Sequence, residues 1–191
     1  MELRRVLVAG GLVLGTALAS AAQGADPKYG GTAVFAIPSD PSTFLRNVSS
    51  LPVDGVVGCI MSQALMESDA NGDPVPLLAK TVDVSPDALT YTFTLQDARW
   101  HDGEPLTSED VRYTLEEVSA EHSAIFRRAM GSIDAIETPS DAEVVIRLKE
   151  PYGPLLQSLT CLQGTAILPA HIFAGTDVRE NPAAAAPIGT G

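Results

Sequence analysis

The chain has 191 residues, with 24 acidic against 12 basic side chains and a net charge of −12 at pH 7. A protein this anionic is repelled by phosphate backbones and by anionic lipid, so nucleic-acid and membrane-surface binding are excluded as expectations. The length suffices for the core of an ordinary domain, and two cysteines with no histidine nearby do not make a zinc site, which needs about four ligands.

The first residues, MELRR, carry two arginines, and no charge follows until Asp26. This is the charged, then apolar, then small-residue order of a secretory leader over residues 1–25, with Ala17-Leu18-Ala19, Ala19-Ser20-Ala21 and Ala22-Gln23-Gly24 as cleavage frames. A membrane anchor is the alternative, since the run approaches the ~20 apolar residues that span a bilayer. Its glycines, alanines and small-residue end favour cleavage and a periplasmic, soluble product. Export places Cys59 and Cys161 where a disulfide can form, with two separate buried thiols as the other reading.

Gly31 to Ile37 is a short apolar run ended by Pro38 and predicts a buried strand. The Ser-, Pro- and Asp-rich stretch from Ser39 to Gly55 has no sustained period and predicts a long loop, of the kind that often carries function. Asp54 then caps a predicted helix reaching about Glu67, with Val57, Ile60, Met61, Ala64 and Leu65 as its apolar stripe. A turn at Ala70 to Pro74 follows. Val82 and Val84 lead through the Ser85-Pro86-Asp87-Ala88 turn into alternation, with Leu89, Tyr91, Phe93 and Leu95 on one face. A second strand pair is predicted at Ser132–Ile136 and Val144–Lys149, with Val145 on the solvent face. A short helix over Tyr152–Thr160 and a short strand over Thr165–Leu168 come next. From Ala174 onward the hydrophobic pattern fails.

Between the strand pairs lies RWHDGEPLTSEDVRYTLEEV, residues 99–118, crowded with titratable groups. Trp100 closes a predicted strand from Leu95, Gly103 suits a turn, and Thr107 with Asp110 three residues on forms a capping box ahead of Val111, Leu115 and Val118. Adjacent His101 and Asp102 point apart in extended chain, and no third metal ligand is visible. The stretch reads as a corner and a helix start. There is no Gly-x-Ser-x-Gly elbow, phosphate loop or His-Glu-x-x-His pair, and His122 and His171 read as surface or packing residues, so neither a catalytic residue, nor a metal site, nor a cofactor is nominated.

Several motifs in order carry a resemblance: Tyr29-Gly30-Gly31-Thr32, Gln63 to Glu67 before Asp69-Ala70-Asn71-Gly72, and Pro76 to Ala79. They continue with Ser85-Pro86-Asp87 before Tyr91 to Leu95, Trp100 to Thr107 before Glu109-Asp110-Val111, Ile167 to Ile172, and Pro187 to Gly191. Together they resemble family 5 of the extracytoplasmic solute-binding proteins, the dipeptide, oligopeptide and nickel receptors of ABC importers. The resemblance implies a mixed α/β fold of the type II periplasmic-binding-protein kind, truncated before its second lobe. It divides the chain into the start of lobe I (26–62), an inserted smaller subdomain (63–163) and a return to lobe I (164–191). It implies a monomer that captures a peptide or other small solute and delivers it to a permease and ATPase complex. Ser49, Ser50, Leu51, Pro52 and Val53 match the loop that lays backbone against ligand, and Phe126 falls near an aromatic of the cleft. A fragment of a secreted hydrolase, or a receptor for nickel, an opine or an oligosaccharide, is the alternative. His101, His122 and His171 are too far apart in sequence to read as a nickel site.

Overall fold

The computed structural model describes residues 30–32 and 34–190, so the expected leader lies outside the described residues. The chain divides into two compact units, residues 1–35 and 36–191. Of the first, the described residues form no strand, and Val34 and Phe35 are 90% and 80% exposed. The buried strand expected over Gly31–Ile37 is therefore not found there. An extended segment becomes a strand only when another backbone completes its ladder, and none among the described residues does so.

The second unit opens with a loop containing a 3-10 turn at Arg46–Val48, followed by α1 (Pro52–Met61). Proline at the first helical position explains the start, because its missing N–H would have been unpaired anyway. The N-cap is Leu51 and not Asp54, and the helix stops at Met61, well short of Glu67. Its buried face is Val53, Asp54, Gly55 and Gly58, whereas Ile60, expected on the inner stripe, is 70% exposed. Glycine is the physical reason: a Cβ on Gly58 would stand 2.7 Å from the Phe44 carbonyl oxygen, so the loop backbone lies directly on this side of the helix. Ala64 and Leu65 are buried in non-helical chain that leads into a two-stranded hairpin, β1 (Met66–Ser68) and β2 (Pro74–Pro76), closed by a turn in which Gly72 N–H donates to the Asp69 carbonyl at 3.0 Å.

Strands β3 (Ala79–Val84) and β4 (Thr90–Leu95) form the next hairpin. Tyr91, Phe93 and Leu95 are buried and the intervening threonines half-buried, as the alternation predicts. The strand ends at Leu95, and only an Arg99–Pro105 bridge remains of the strand expected up to Trp100. A long helical run then comprises α2 (Ser108–Tyr113), a π-helical segment (Thr114–Ser119) and α3 (Ala120–His122), followed by α4 (Phe126–Ser132). The Thr107/Asp110 capping box is formed, and Val111, Leu115 and Val118 are buried. The chain returns through β5 (Ile133–Ser140) and β6 (Glu143–Leu148), completing an antiparallel sheet in the order β3-β4-β6-β5. Val145 is buried on the face expected to meet water, where it stands between its cross-strand partners Thr92 and Glu137.

Phe93, Ile146 and Leu148 pack with Val111, Leu115, Phe126 and Ala129 in the main core, and full burial of each large apolar side chain is worth roughly 1.5–3 kcal/mol. After α5 (Leu155–Ser158) and a 3-10 turn at Cys161–Gln163, residues 165–168 are buried but form no ladder. Ile167 N–H donates to the Gln63 carbonyl at 2.8 Å instead of joining a strand. A second core of Leu45, Tyr113, Val118, Leu168, Phe173 and Val178 joins the loop, the long helical run and α6 (Ala170–Phe173). The segment beyond Ala174 is therefore anchored despite its lack of period.

Candidate functional site

The long loop before α1 is organised by one buried carboxylate. Asp54 is fully buried and accepts hydrogen bonds from Ser42 N–H at 2.8 Å, Ser42 Oγ at 2.6 Å and Ser49 Oγ at 2.5 Å. Burial pushes its carboxyl up, but these donors outweigh burial and hold it below its ordinary value of 3.8. Arg46 donates through Nη2 to the Leu162 carbonyl at 2.7 Å and through Nη1 to the Ser49 carbonyl. Burial lowers the pKa of its guanidinium, and Asp54 opposes that shift. Asn47, 1% exposed, donates to the Ala166 carbonyl at 2.8 Å and to Ser119 Oγ at 3.2 Å. Ser119 belongs to the π-helical segment and in turn donates to the Gly164 carbonyl at 2.9 Å. Cys59 of α1 and Cys161 form a disulfide with a Cα–Cα distance of 5.8 Å, tying the helix to the turn whose Leu162 carbonyl receives Arg46.

An open groove of about 280 Å³ lies against this loop, with Arg46, Ser49, Ser50, His122, Ile125 and Arg179 among its walls. A larger one of about 700 Å³ shares Val48, Ser49 and Arg179 with it. Ser49 and Leu51 have extended backbones, and the N–H and C=O of the intervening, exposed Ser50 make no hydrogen bond among the described residues. A short rim of backbone is thus presented outward from a braced support.

The structure places the expected contact residues unequally. Ser49 and Ser50 line the groove, Leu51 is 50% exposed beside them, Pro52 is exposed at the helix start, and Val53 is buried. Phe126 is fully buried in the main core, so the expectation that it faces a cleft is corrected. It shares one helix face with Ala129, three residues on, and that face turns inward. The half-exposed apolar residue on the groove is its neighbour Ile125. Arg46, Asn47 and Arg179 were not singled out by sequence; only the lone buried-capable polar residues inside an apolar stretch, Leu45 to Val48, hinted at the first two.

The corner at residues 101–104 has a further use. His101 N–H donates to the Gly189 carbonyl at 3.0 Å, Gly189 N–H donates to His101 Nδ1 at 3.3 Å, and Thr190 Oγ1 donates to Gln63 Oε1 at 3.0 Å. Asp102 meets His171 Nε2 of α6 at 2.8 Å, and that hydrogen bond lowers its carboxyl below the ordinary value. The two side chains that point apart along the chain thus hold two different segments. Among the described residues no group of three His, Cys, Asp or Glu is gathered as metal ligands. A Cβ on Gly189 would stand 1.9 Å from the Met61 carbonyl oxygen, so Gly189→Ala forces backbone apart. Its expected cost is about 2 kcal/mol, read as a lowered urea midpoint; an unchanged midpoint would show that the contact is not kept in solution.

Residues 73–191 match the profile of the bacterial extracellular solute-binding proteins, family 5. The chain belongs to that family. A putative ABC transporter peptide-binding protein of Brucella ovis is 41% identical over 119 residues, covering 60% of this chain and 22% of its own length. A dipeptide-binding protein of Lactococcus lactis subsp. cremoris is 30% identical over 138 residues, 61% of this chain and 24% of its own. Among solved structures, the PBP AgaA of A. tumefaciens R10 in complex with agropinic acid superposes with a TM-score of 0.70 at 35% identity, covering 80% of this chain and 30% of that one. NikZ of Campylobacter jejuni in complex with Ni(L-His) gives 0.69 at 26% identity, with the same coverage. The family 5 chain described here thus has the mixed α/β fold of these binding proteins and spans 22% of the length of the Brucella relative. Its relatives are binding proteins of transporters, and the family is extracytoplasmic. Among the described residues no helix is long and apolar enough to cross a membrane.

Proposed function

We propose that this chain contributes one wall of a site that captures a small solute, a peptide in the first instance, for delivery to the permease and ATPase of an ABC importer. The observation that carries the reading is the Ser49–Leu51 rim. Its extended backbone leaves the Ser50 N–H and C=O without partners among the described residues and places them on a groove. Backbone donors and acceptors in extended chain pair with the backbone of an extended peptide and give affinity that does not depend on peptide side chains. The peptide-binding relatives point the same way. An opine is the second reading, favoured by the 35% identity to the agropinic-acid-bound protein.

The test is a thermal-shift and calorimetric screen of the protein made from the complete reading frame, with short peptides, sugar–amino acid conjugates and nickel–histidine as probes. A bound solute at 100 times its Kd adds about 2.7 kcal/mol to stability, a readily seen rise in Tm. Flat melting curves with every probe would remove the reading, and turnover of a peptide would replace it with a hydrolase.

A further inference from the structure

We propose that Arg179 makes this groove select solutes that carry a free carboxylate, and that its guanidinium meets that carboxylate directly. The inference rests on the solute-capture reading above and adds the chemistry of what is captured.

Charge distribution is the first observation. The chain carries twice as many acids as bases, yet no carboxylate lines the groove beside the Ser49–Ser50 rim among the described residues, whereas Arg46, His122 and Arg179 all do. With the charge of Arg46 answered by Asp54, Arg179 is the cation that this carboxylate-free wall offers to an anion.

The second observation separates the two arginines. Arg46 has its charge answered by Asp54 and its Nη atoms occupied by the Ser49 and Leu162 carbonyls, so it serves to hold the loop. Arg179 is exposed, and its side chain makes no hydrogen bond or ion pair among the described residues. Of the acids closest to it in sequence, Asp177 Oδ1 accepts the backbone N–H of Arg179 at 2.9 Å, and Glu180 shares the wall of the larger groove with Arg179 but makes no ion pair with it. The backbone of Arg179 is therefore fixed while its guanidinium is left unoccupied, at the wall common to both grooves. A planar fork of donors in that state is matched by a carboxylate, which accepts two parallel hydrogen bonds from it. The Ser50 N–H on the same groove then serves the uncharged part of the solute.

The protein from the complete reading frame is titrated calorimetrically with trialanine and with trialanine carboxamide, which differ only in the terminal charge. The same pair is then applied to Arg179→Gln and Arg179→Lys. The wild type is expected to prefer the acid by about tenfold or more, as for one charge-assisted hydrogen-bonded contact. Arg179→Gln abolishes that preference by weakening the acid alone, and Arg179→Lys keeps part of it. Unliganded Tm is unchanged in both variants, since the fixed part of Arg179 is backbone. Acid and amide bound alike by the wild type, or an acid preference that survives Arg179→Gln, would overturn the inference while leaving solute capture intact. Absence of binding by either probe and by the whole screening panel would overturn both.

Discussion

Replacing Cys59 and Cys161 together by serine is expected to lower the unfolding free energy by about 4–5 kcal/mol. The cross-link joins residues 102 apart in sequence, and a closed loop of about that length removes roughly 4.7 kcal/mol of chain entropy from the unfolded state at 25 °C. Little in the folded state compensates, because the bond ties α1 to a short 3-10 turn whose Leu162 is 55% exposed. Urea unfolding of the oxidised protein, the reduced protein and the double serine variant measures the effect. With a slope of about 1–3 kcal/mol per molar, the midpoint moves by molar amounts, and reduction and substitution agree with each other. Equal midpoints in all three samples would show that the two sulfurs are not joined.

Asp54→Ala is expected to cost about 3 kcal/mol. It strips the acceptor from Ser42 N–H, Ser42 Oγ and Ser49 Oγ at a fully buried position, and each hydrogen bond to a charged group carries roughly 1.5–3 kcal/mol, part of it recovered if water enters. Asp54→Asn nearly keeps the volume but turns an amide donor toward hydroxyl and N–H donors, so it recovers only part of the loss. The acid limb of stability supplies an independent check. The carboxyl titrates below 3.8 in the folded protein, so its stabilisation is fully present above that value and is lost as pH falls through the folded pKa. Wild type therefore loses stability more steeply than Asp54→Ala as pH falls below about 3.8. Parallel acid limbs would mean that Ser42 and Ser49 do not hold the carboxylate in solution. Because Ser49 lines the groove, the same variant weakens any solute that wild type binds there.

Local periodicity was legible wherever one face of an element meets the core and the other meets water. The Tyr91–Phe93–Leu95 alternation and the Thr107/Asp110 helix start are of this kind, because propensity, turn residues and burial agree there. The helix over 52–61 was legible as a helix but not in its orientation. A pattern search assumes that apolar side chains face inward, whereas Gly55 and Gly58 let backbone approach so closely that the inner face consists of the smallest residues. The apolar runs at 31–37 and 165–168 read as strands in the sequence because periodicity reports side-chain environment and says nothing about a hydrogen-bonding partner, and the described residues of neither run form a ladder.

The groove was half legible. A long aperiodic loop marked Ser49 and Ser50, but the residues that support them, Asn47 through Ser119 and Arg46 through Leu162, act across separations of 72 and 116 residues. No local signal spans such distances. The same holds for the pairing of Asp102 with His171 across 69 residues. Phe126 was displaced by one position from the residue that lines the groove, and on a helix one position is about 100° of rotation, enough to exchange inside for outside.

The clamp on Asn47 bears on how broadly such a rim can serve. Its amide is held by Ser119 Oγ and the Ala166 carbonyl in an environment only 1% exposed, so the neighbouring backbone is braced by contacts within this chain. Ordering a flexible contact segment costs about 0.5–1.5 kcal/mol for each side chain immobilised, and a rim braced in this way would spare a solute that cost. On the proposed reading, guests of unrelated side-chain composition would meet the same ready-made edge, and differences in how tightly they are held would arise from the guests and from Arg179.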